Sequence, residues 1–327
     1  MMRALVVDQV GAAAAPRLAV VPVADPGAGQ VRVRMQFASI NPADWKCRSG
    51  WMTPFPQFQP QFPFVLGFDG VGIVDAVGVD VDGVRVGERV CVRANQMTGQ
   101  NGTFAESVCV AASDTAPVPD AVPGETAATI PVAGVTAYQS IVKYAQVTPG
   151  QRVLVNGAAG GVGSYAVQLA RHFGAIVAGT CSPANADYLT ELGCEQVIDY
   201  RTQNVRDAAL AWAPDGVDVL LDTVHTDGVP DAAGIIREGG VIVGIITLGA
   251  PRPYRDEDLQ PLSRRFVKAT VKRDEARADM IALAQLLADG SVRAPAIEVV
   301  PFTGAVDALE RVAAGHVRGK LVLSFSA

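Results

Sequence analysis

Gly157, Gly160 and Gly163 are the residues whose spacing points most directly to chemistry. They lie in Val153–Gly163, VLVNGAAGGVG, between a short apolar run and the helical pattern SYAVQLARHFG. The order predicts a strand, a tight turn and a helix start. One glycine permits the turn, one lets backbone N–H groups approach a pyrophosphate, and one lets helix and strand pack closely. Gly161 and Val162 would open the helix, where unpaired N–H groups and the positive dipole end favour an anion. A dinucleotide seated on that helix start is the expectation. A ligand-free glycine turn in an α/β protein is the plainer alternative.

Other candidates follow from the same geometry. Ser182 stands after the second strand pattern, about 20 residues past the glycines, where NAD-specific folds place an Asp or Glu on the ribose. A carboxylate there would repel a 2′-phosphate, so CSPAN (181–185) leaves room for NADPH. Ser182 is equally a helix N-cap residue, and the two roles are compatible. Val224, Ile246 and Thr247 end the fourth and fifth strand patterns, and ligands of such sheets lie beyond the carboxyl ends of the strands. His225 sits beside them, where a plain loop histidine is the commoner reading.

These residues need a scaffold. The chain has 327 residues, more than one ordinary core holds, so two domains are expected. Residues 122–272 alternate strand-length apolar runs (RVLVN, AIVAGT, QVIDY, VDVLLDT, GVIVGII, FVKATV) with helical patterns at 161–173, 185–192, 204–212 and 228–236. Continuous apolar strands are those of a buried parallel sheet, and right-handed crossovers make it doubly wound. Residues 1–121 are β-rich, with Gly and Pro at close spacing. The stretch 67–92 is expected as a train of short strands in a partly open barrel. WMTPFPQFQPQFPF (51–64) reads as a long apolar loop, either packed on the barrel or forming a pocket wall. Residues 273–327 carry two helical patterns and the strands AIEVV and GKLVLSF, so the chain is expected to return to its first domain.

Composition excludes some classes. Lys plus Arg number 27 against 33 Asp plus Glu, a net charge of −6, with no basic run. That argues against a nucleic-acid or anionic-membrane surface. No apolar stretch reaches membrane-spanning length and MMRALVVDQVG has no signal-peptide core, so a cytoplasmic protein is expected. The five cysteines form no CxxC pair and are expected as buried free thiols, and three histidines are too few for a His-rich metal site.

Four stretches together resemble one family over nearly the whole chain: NPADWKCRSG (41–50); LGFDGVGIVDAVG (66–78) with VGERV (86–90); IPVAGVTAYQSI (130–141); and GAAGGVG (157–163) with CSPANADYLTELGCEQVIDY (181–200). The chain resembles zinc-independent medium-chain dehydrogenases/reductases of the quinone oxidoreductase and enoyl reductase type. The resemblance implies a GroES-like catalytic domain (1–121 and 273–327) and a Rossmann domain (122–272), usually in a homodimer. It implies hydride transfer from a nicotinamide cofactor to a quinone or an α,β-unsaturated carbonyl. Zinc-dependent relatives carry a Cys near Asn41–Pro42, Gly-His-Glu where this chain has Gly67-Phe68-Asp69, and a four-cysteine lobe where it has RANQMTGQNGTFAES (93–107), so neither zinc site is expected.

The same resemblance assigns roles. Lys46, in the NPxDxK pattern, would lie near nicotinamide and substrate. Holding the cofactor ribose and donating a proton or hydrogen bond to the substrate are both open, as is a plain surface lysine. Some quinone reductases have a tyrosine there, which weakens transfer of their substrate to this chain. Asn41 would contact substrate or ribose, and Asp44 would fix the turn. Tyr138 or Thr136 would touch the cofactor, with interface packing as the alternative for Tyr138. Tyr200 matches the tyrosine lining the adenine and phosphate pocket. A lysine usual in the ANAD segment is missing, and Arg201 is the candidate substitute. Two rival readings stand: a trans-acting enoyl reductase of a biosynthetic pathway, since CSPxN occurs in such relatives, and a non-catalytic nucleotide-binding or scaffold protein.

Overall fold

In the computed structural model, residues 1–224, 229, 232–245, 259–260, 263–315 and 317–325 are described. The chain divides into two compact units, one of residues 1–133, 273–289 and 296–327, the other of residues 134–272 and 290–295.

The first unit contains β1 (Met2–Val7), β2 (Arg17–Val21), β3 (Gln30–Ser39), α1 (Pro42–Arg48), β4 (Phe64–Val65), β5 (Asp69–Val77), β6 (Arg89–Arg93), β7 (Ser107–Ala111), β8 (Thr115–Pro117) and the short helix α2 (Gly124–Ala127). Among its described residues, β3 pairs antiparallel with β5 and β7, and the ladder continues through β6 to β8. The stretch 67–92, expected as several short strands, is instead dominated by the single nine-residue β5. Its glycines let it lie close to β3: a Cβ on Gly72 would stand 2.2 Å from the Arg34 carbonyl oxygen. Residues 51–64 form turns, with Phe58 and Phe64 buried edge to face, so this loop packs into its own unit. Residues 122–133, expected in the other domain, group with this unit, and of the C-terminal segment 273–289 and 296–327 return to it while 290–295 do not. β15 (Ile297–Pro301) pairs parallel with β16 (Lys320–Ser324), which pairs antiparallel with the end of β3.

The second unit is built on a parallel sheet. β9 (Arg152–Asn156), β10 (Ile176–Cys181), β11 (Gln196–Asp199), β12 (Val217–Asp222), β13 (Ile236–Gly244) and β14 (Arg265–Lys268) lie, among the described residues, in the order β11-β10-β9-β12-β13-β14. The order reverses beside β9, the switch point at which such sheets bind ligands. Leu154, Ala178, Ile198, Leu220 and Ile242 meet in one core, the reason these strands are apolar without alternation. Three helices lie where the sequence pattern sets them: α4 (Gly161–His172), α5 (Ala186–Leu192) and α6 (Val205–Trp212). The helix expected over 228–236 differs. Its described part is a 3₁₀ turn, Ala232–Ile235, and β13 begins at Ile236. Upstream, α3 (Val135–Tyr138) is flanked by π-helical turns at Ile130–Gly134 and Gln139–Tyr144. No helix among the described residues is long and apolar enough to cross a membrane.

Candidate functional site

The glycine loop has the shape its sequence implies. Gly157 is left-handed at φ 75°, and a Cβ there would stand 2.5 Å from the Thr223 hydroxyl oxygen. A Cβ on Gly163 would meet the Gly157 carbonyl oxygen at 2.3 Å and the Ala158 Cα at 2.7 Å. Gly163 thus lets α4 press against the turn. Beside Gly160, the N-cap of α4, the nearest such atom is 3.5 Å away. That is an ordinary van der Waals separation, so a Cβ is tolerated at the head of a twelve-residue helix whose first N–H groups, on Gly161, Val162 and Gly163, have no acceptor within the helix. The cradle fits a diphosphate.

Side chains brace the loop from beneath. The Thr180 hydroxyl donates to Asn156 Oδ1 (2.6 Å) and accepts from the Gly157 N–H (2.9 Å). Asn156 Nδ2 donates to Asp222 Oδ1 (2.9 Å), which also accepts from the Val224 N–H (3.0 Å). Thr180, Asn156 and Asp222 are all buried. They tie the ends of β10, β9 and β12, and sequence reasoning passed over them. The only sign was a polar residue closing each apolar strand. Val224 is exposed, and its N–H is engaged by Asp222. Ile246, Thr247 and His225 lie outside the described residues.

Ser182 follows β10 at the head of a 3₁₀ turn. Its Oγ accepts from Asn185 Nδ2 at 3.2 Å, which leaves the hydroxyl proton to donate outward. Pro183 has no N–H and α5 spans only seven residues, so backbone donors are few here. Tyr200 and Arg201 are exposed just beyond β11, the Arg201 guanidinium 6.0 Å from the Tyr200 ring. The sequence reading overlooked a carboxylate. Asp199 pairs with Cys181 across the β10–β11 ladder, next to Ser182. It accepts from the Arg201 N–H (3.0 Å) and the Thr202 hydroxyl (2.6 Å), which hold it in the following turn. Thr136 is buried and Tyr138 half-buried, both on α3.

The first unit holds the other half of the candidate residues. Pro42 suits the first turn of α1 because its missing N–H is not needed there. Lys46, on α1, is 7 % exposed. Its Nζ lies 4.8 Å from the Trp51 ring centroid and 5.5 Å from that of Trp45, and the two rings meet edge to face. Aromatic faces attract the ammonium. Burial opposes it and brings the Lys46 pKa down to about 8. The two indoles were not singled out in the sequence.

Asn41 is 3 % exposed, and its amide is spent inside the protein. Oδ1 accepts from Lys320 Nζ (2.5 Å), and Nδ2 donates to Asp69 Oδ1 (2.9 Å) and the Ser39 carbonyl (3.1 Å). Asp44 accepts from the backbone N–H groups of Asn41 (2.6 Å) and Phe68 (2.9 Å). Lys320 Nζ also donates to the Ile40 carbonyl (2.6 Å). Burial, then repulsion by Asp69, pushes Asp44 up to about 8 against the pull of those N–H groups and Lys320. Burial pushes Asp69 up to about 6, and burial lowers the Lys320 pKa despite both carboxylates. An ammonium already stands among the residues that match the zinc-ligand positions of relatives, so they do not suit a second cation. Among the described residues no three His, Cys, Asp or Glu side chains group so as to hold a metal ion. All five cysteines are free, and burial raises the pKa of each.

Comparison with known proteins agrees with this architecture. Residues 27–120 match the alcohol dehydrogenase GroES-like domain family and residues 192–323 the zinc-binding dehydrogenase family. A probable quinone oxidoreductase of Leishmania amazonensis is 33 % identical over 237 residues, 72 % of this chain and 65 % of that protein. A component of the phenolphthiocerol/phthiocerol polyketide synthase of Mycobacterium tuberculosis is 32 % identical across 98 % of this chain, which spans only 15 % of that component. The chain thus covers less than two thirds of either relative. A crystal structure of a Pseudomonas syringae quinone oxidoreductase superposes with a TM-score of 0.88 at 26 % identity, covering 99 % of this chain and 100 % of that one. The chain belongs to the medium-chain dehydrogenase/reductase superfamily, with a GroES-like domain and a Rossmann-type parallel sheet.

Proposed function

We propose that this protein is a zinc-independent reductase that uses NADPH to reduce quinones or α,β-unsaturated carbonyls. The observation that carries the reading is Lys46, buried against two indoles with its pKa near 8. When bound, the reduced nicotinamide supplies a hydride. The chain's own residues do the rest. Gly160–Gly163 hold the diphosphate by backbone N–H groups. Ser182, Tyr200 and Arg201 take the 2′-phosphate, with Arg201 offsetting the charge of Asp199. Lys46 donates a proton to an enone's α-carbon as the β-carbon is reduced, or to its oxygen to give an enol that tautomerises, so the double bond gains one hydride and one proton overall. The resulting amine regains its proton from water. A pKa near the working pH suits such a donor.

Similarity to quinone oxidoreductases supports the small-molecule substrate. The match of 98 % of this chain to a polyketide synthase segment favours a second reading, a trans-acting enoyl reductase acting on carrier-bound thioesters. One absorbance assay tests both. NADPH oxidation is followed with simple quinones, enones and enoyl thioesters, free or tethered to a carrier protein. Turnover of free quinones or enones supports the first reading. Turnover confined to carrier-tethered substrate supports the second. No oxidation with any acceptor overturns both.

A further inference from the structure

The ammonium of Lys320 sits at the centre of a buried network whose members come from distant parts of the chain. Lys320 opens β16 and is 4 % exposed. Asn41 ends the segment after β3, Asp44 lies in the first turn of α1, and Asp69 opens β5. Asp69 Oδ2 accepts in addition from the Val132 N–H at 3.2 Å. Two acidic side chains and one ammonium out of water are costly, and such groups survive in a core only where each is fully hydrogen-bonded.

The bonds run in one direction. Lys320 carries only donors, so Asn41 must present its carbonyl oxygen to it, and the Asn41 amide nitrogen is thereby turned to Asp69. That fixes the residue that caps α1. Its backbone N–H meets Asp44, and the other Asp44 oxygen meets the Phe68 N–H, so the first turn of α1 is clamped to the start of β5. Residues two apart on a helix do not share a face. Asp44 therefore points into the clamp and Lys46 away from it, toward the indoles.

We propose that Lys320 is a positioning residue for Lys46: through Asn41 and Asp44 it sets the angle at which α1 presents the Lys46 ammonium. The proposal rests on the reading of Lys46 as the group that meets the substrate. Its direct readout does not depend on that reading. The chain has five lysines, few enough for the Lys46 side-chain resonance to be assigned in ¹³C-labelled protein by its loss in Lys46→Ala.

The experiment compares wild type, Lys320→Met and the double variant Lys320→Met/Asp69→Asn. Lys320→Met removes the ammonium from beside Asp69 and Asp44 and leaves the Asn41 oxygen without its donor, and is expected to lower stability. The double variant removes one of the two acidic side chains as well and keeps a folded protein available. In both, the Lys46 resonance and its titration midpoint are expected to move. kcat falls tenfold or more while the KM for NADPH stays within twofold. A folded variant with the Lys46 resonance, midpoint and kcat of wild type overturns the proposal, because a purely stabilising network would move only the melting temperature. A moved resonance with turnover unaffected by Lys46→Ala supports the positioning role of Lys320 and instead overturns the reading of Lys46 as proton donor.

Discussion

Lys46 carries two of the tests at the scale of single residues. Its pKa is lowered to about 8 by burial, so its ammonium fraction falls as pH rises through 8. A proton donor of this kind gives a kcat/KM that declines above about pH 8. Lys46→Ala is expected to remove that limb and to lower turnover roughly 100-fold or more, the range for general acid catalysis. A lysine that only holds the ribose would instead raise the cofactor KM. Cofactor choice is tested at Arg201. Charge-assisted hydrogen bonds contribute about 1.5–3 kcal/mol, and about 1.4 kcal/mol is tenfold in affinity. Arg201→Ser is expected to lower kcat/KM for NADPH about tenfold and to leave NADH unchanged. Equal kcat/KM for the two cofactors in wild type would show that the 2′-phosphate has no site.

The glycine turn with α4 is the element on which cofactor binding depends, and its glycines differ in what they do. A Cβ at Gly163 would strike backbone atoms at 2.3 and 2.7 Å, which cannot yield without moving the helix off the turn. Gly163→Ala is expected to cost about 1–3 kcal/mol in a denaturant titration, as overpacking does. Gly160 has φ −78° and its nearest neighbour at an ordinary van der Waals distance of 3.5 Å, so Gly160→Ala is expected to leave stability within about 0.5 kcal/mol. If the diphosphate packs against Gly160, the same substitution weakens NADPH binding, measured by calorimetry. Unchanged affinity in a stable Gly160→Ala would place the diphosphate elsewhere. Elements of this kind were readable in advance because their signals are local. The 3₁₀ turn at Ala232–Ile235 and the single long β5 were not, since helix length and strand continuity depend on neighbours.

For the whole molecule, the buried network links folding to pH. Asp69 has a pKa raised from 3.8 to about 6, mainly by burial, so the folded chain holds a proton that the unfolded chain releases. The stability this gives is complete below about pH 4 and is lost as pH rises through 6. Denaturation curves from pH 4 to 7 are expected to show that slope in wild type and a flatter one in Asp69→Asn. An equal slope in both would mean that Asp69 does not titrate in that window. The network also bears on metal. With Lys320 among the residues that match a relative's zinc ligands, purified protein is expected to hold no stoichiometric zinc and to keep its activity through chelation. About one zinc per chain, lost together with activity, would refute this.

The sequence by itself determined the parallel sheet, the glycine cradle and the return of the C-terminal strands. Each is encoded in contiguous residues: VLVNGAAGGVG sets its own turn, and apolar runs of strand length declare burial on both faces. NPADWK marked out α1 and Lys46 in the same way. Only the tertiary structure decided what surrounds them. The Trp51 indole reaches Lys46 because residues 49–51 fold back by a turn, and Asp199 reaches the flank of Ser182 because β11 pairs with β10. Asn41 gives its side-chain oxygen to Lys320, 279 residues further on. A lysine at the start of an apolar strand has no local pattern that names its partners. Those partners are set by which strands lie side by side, and burial then makes every donor find an acceptor.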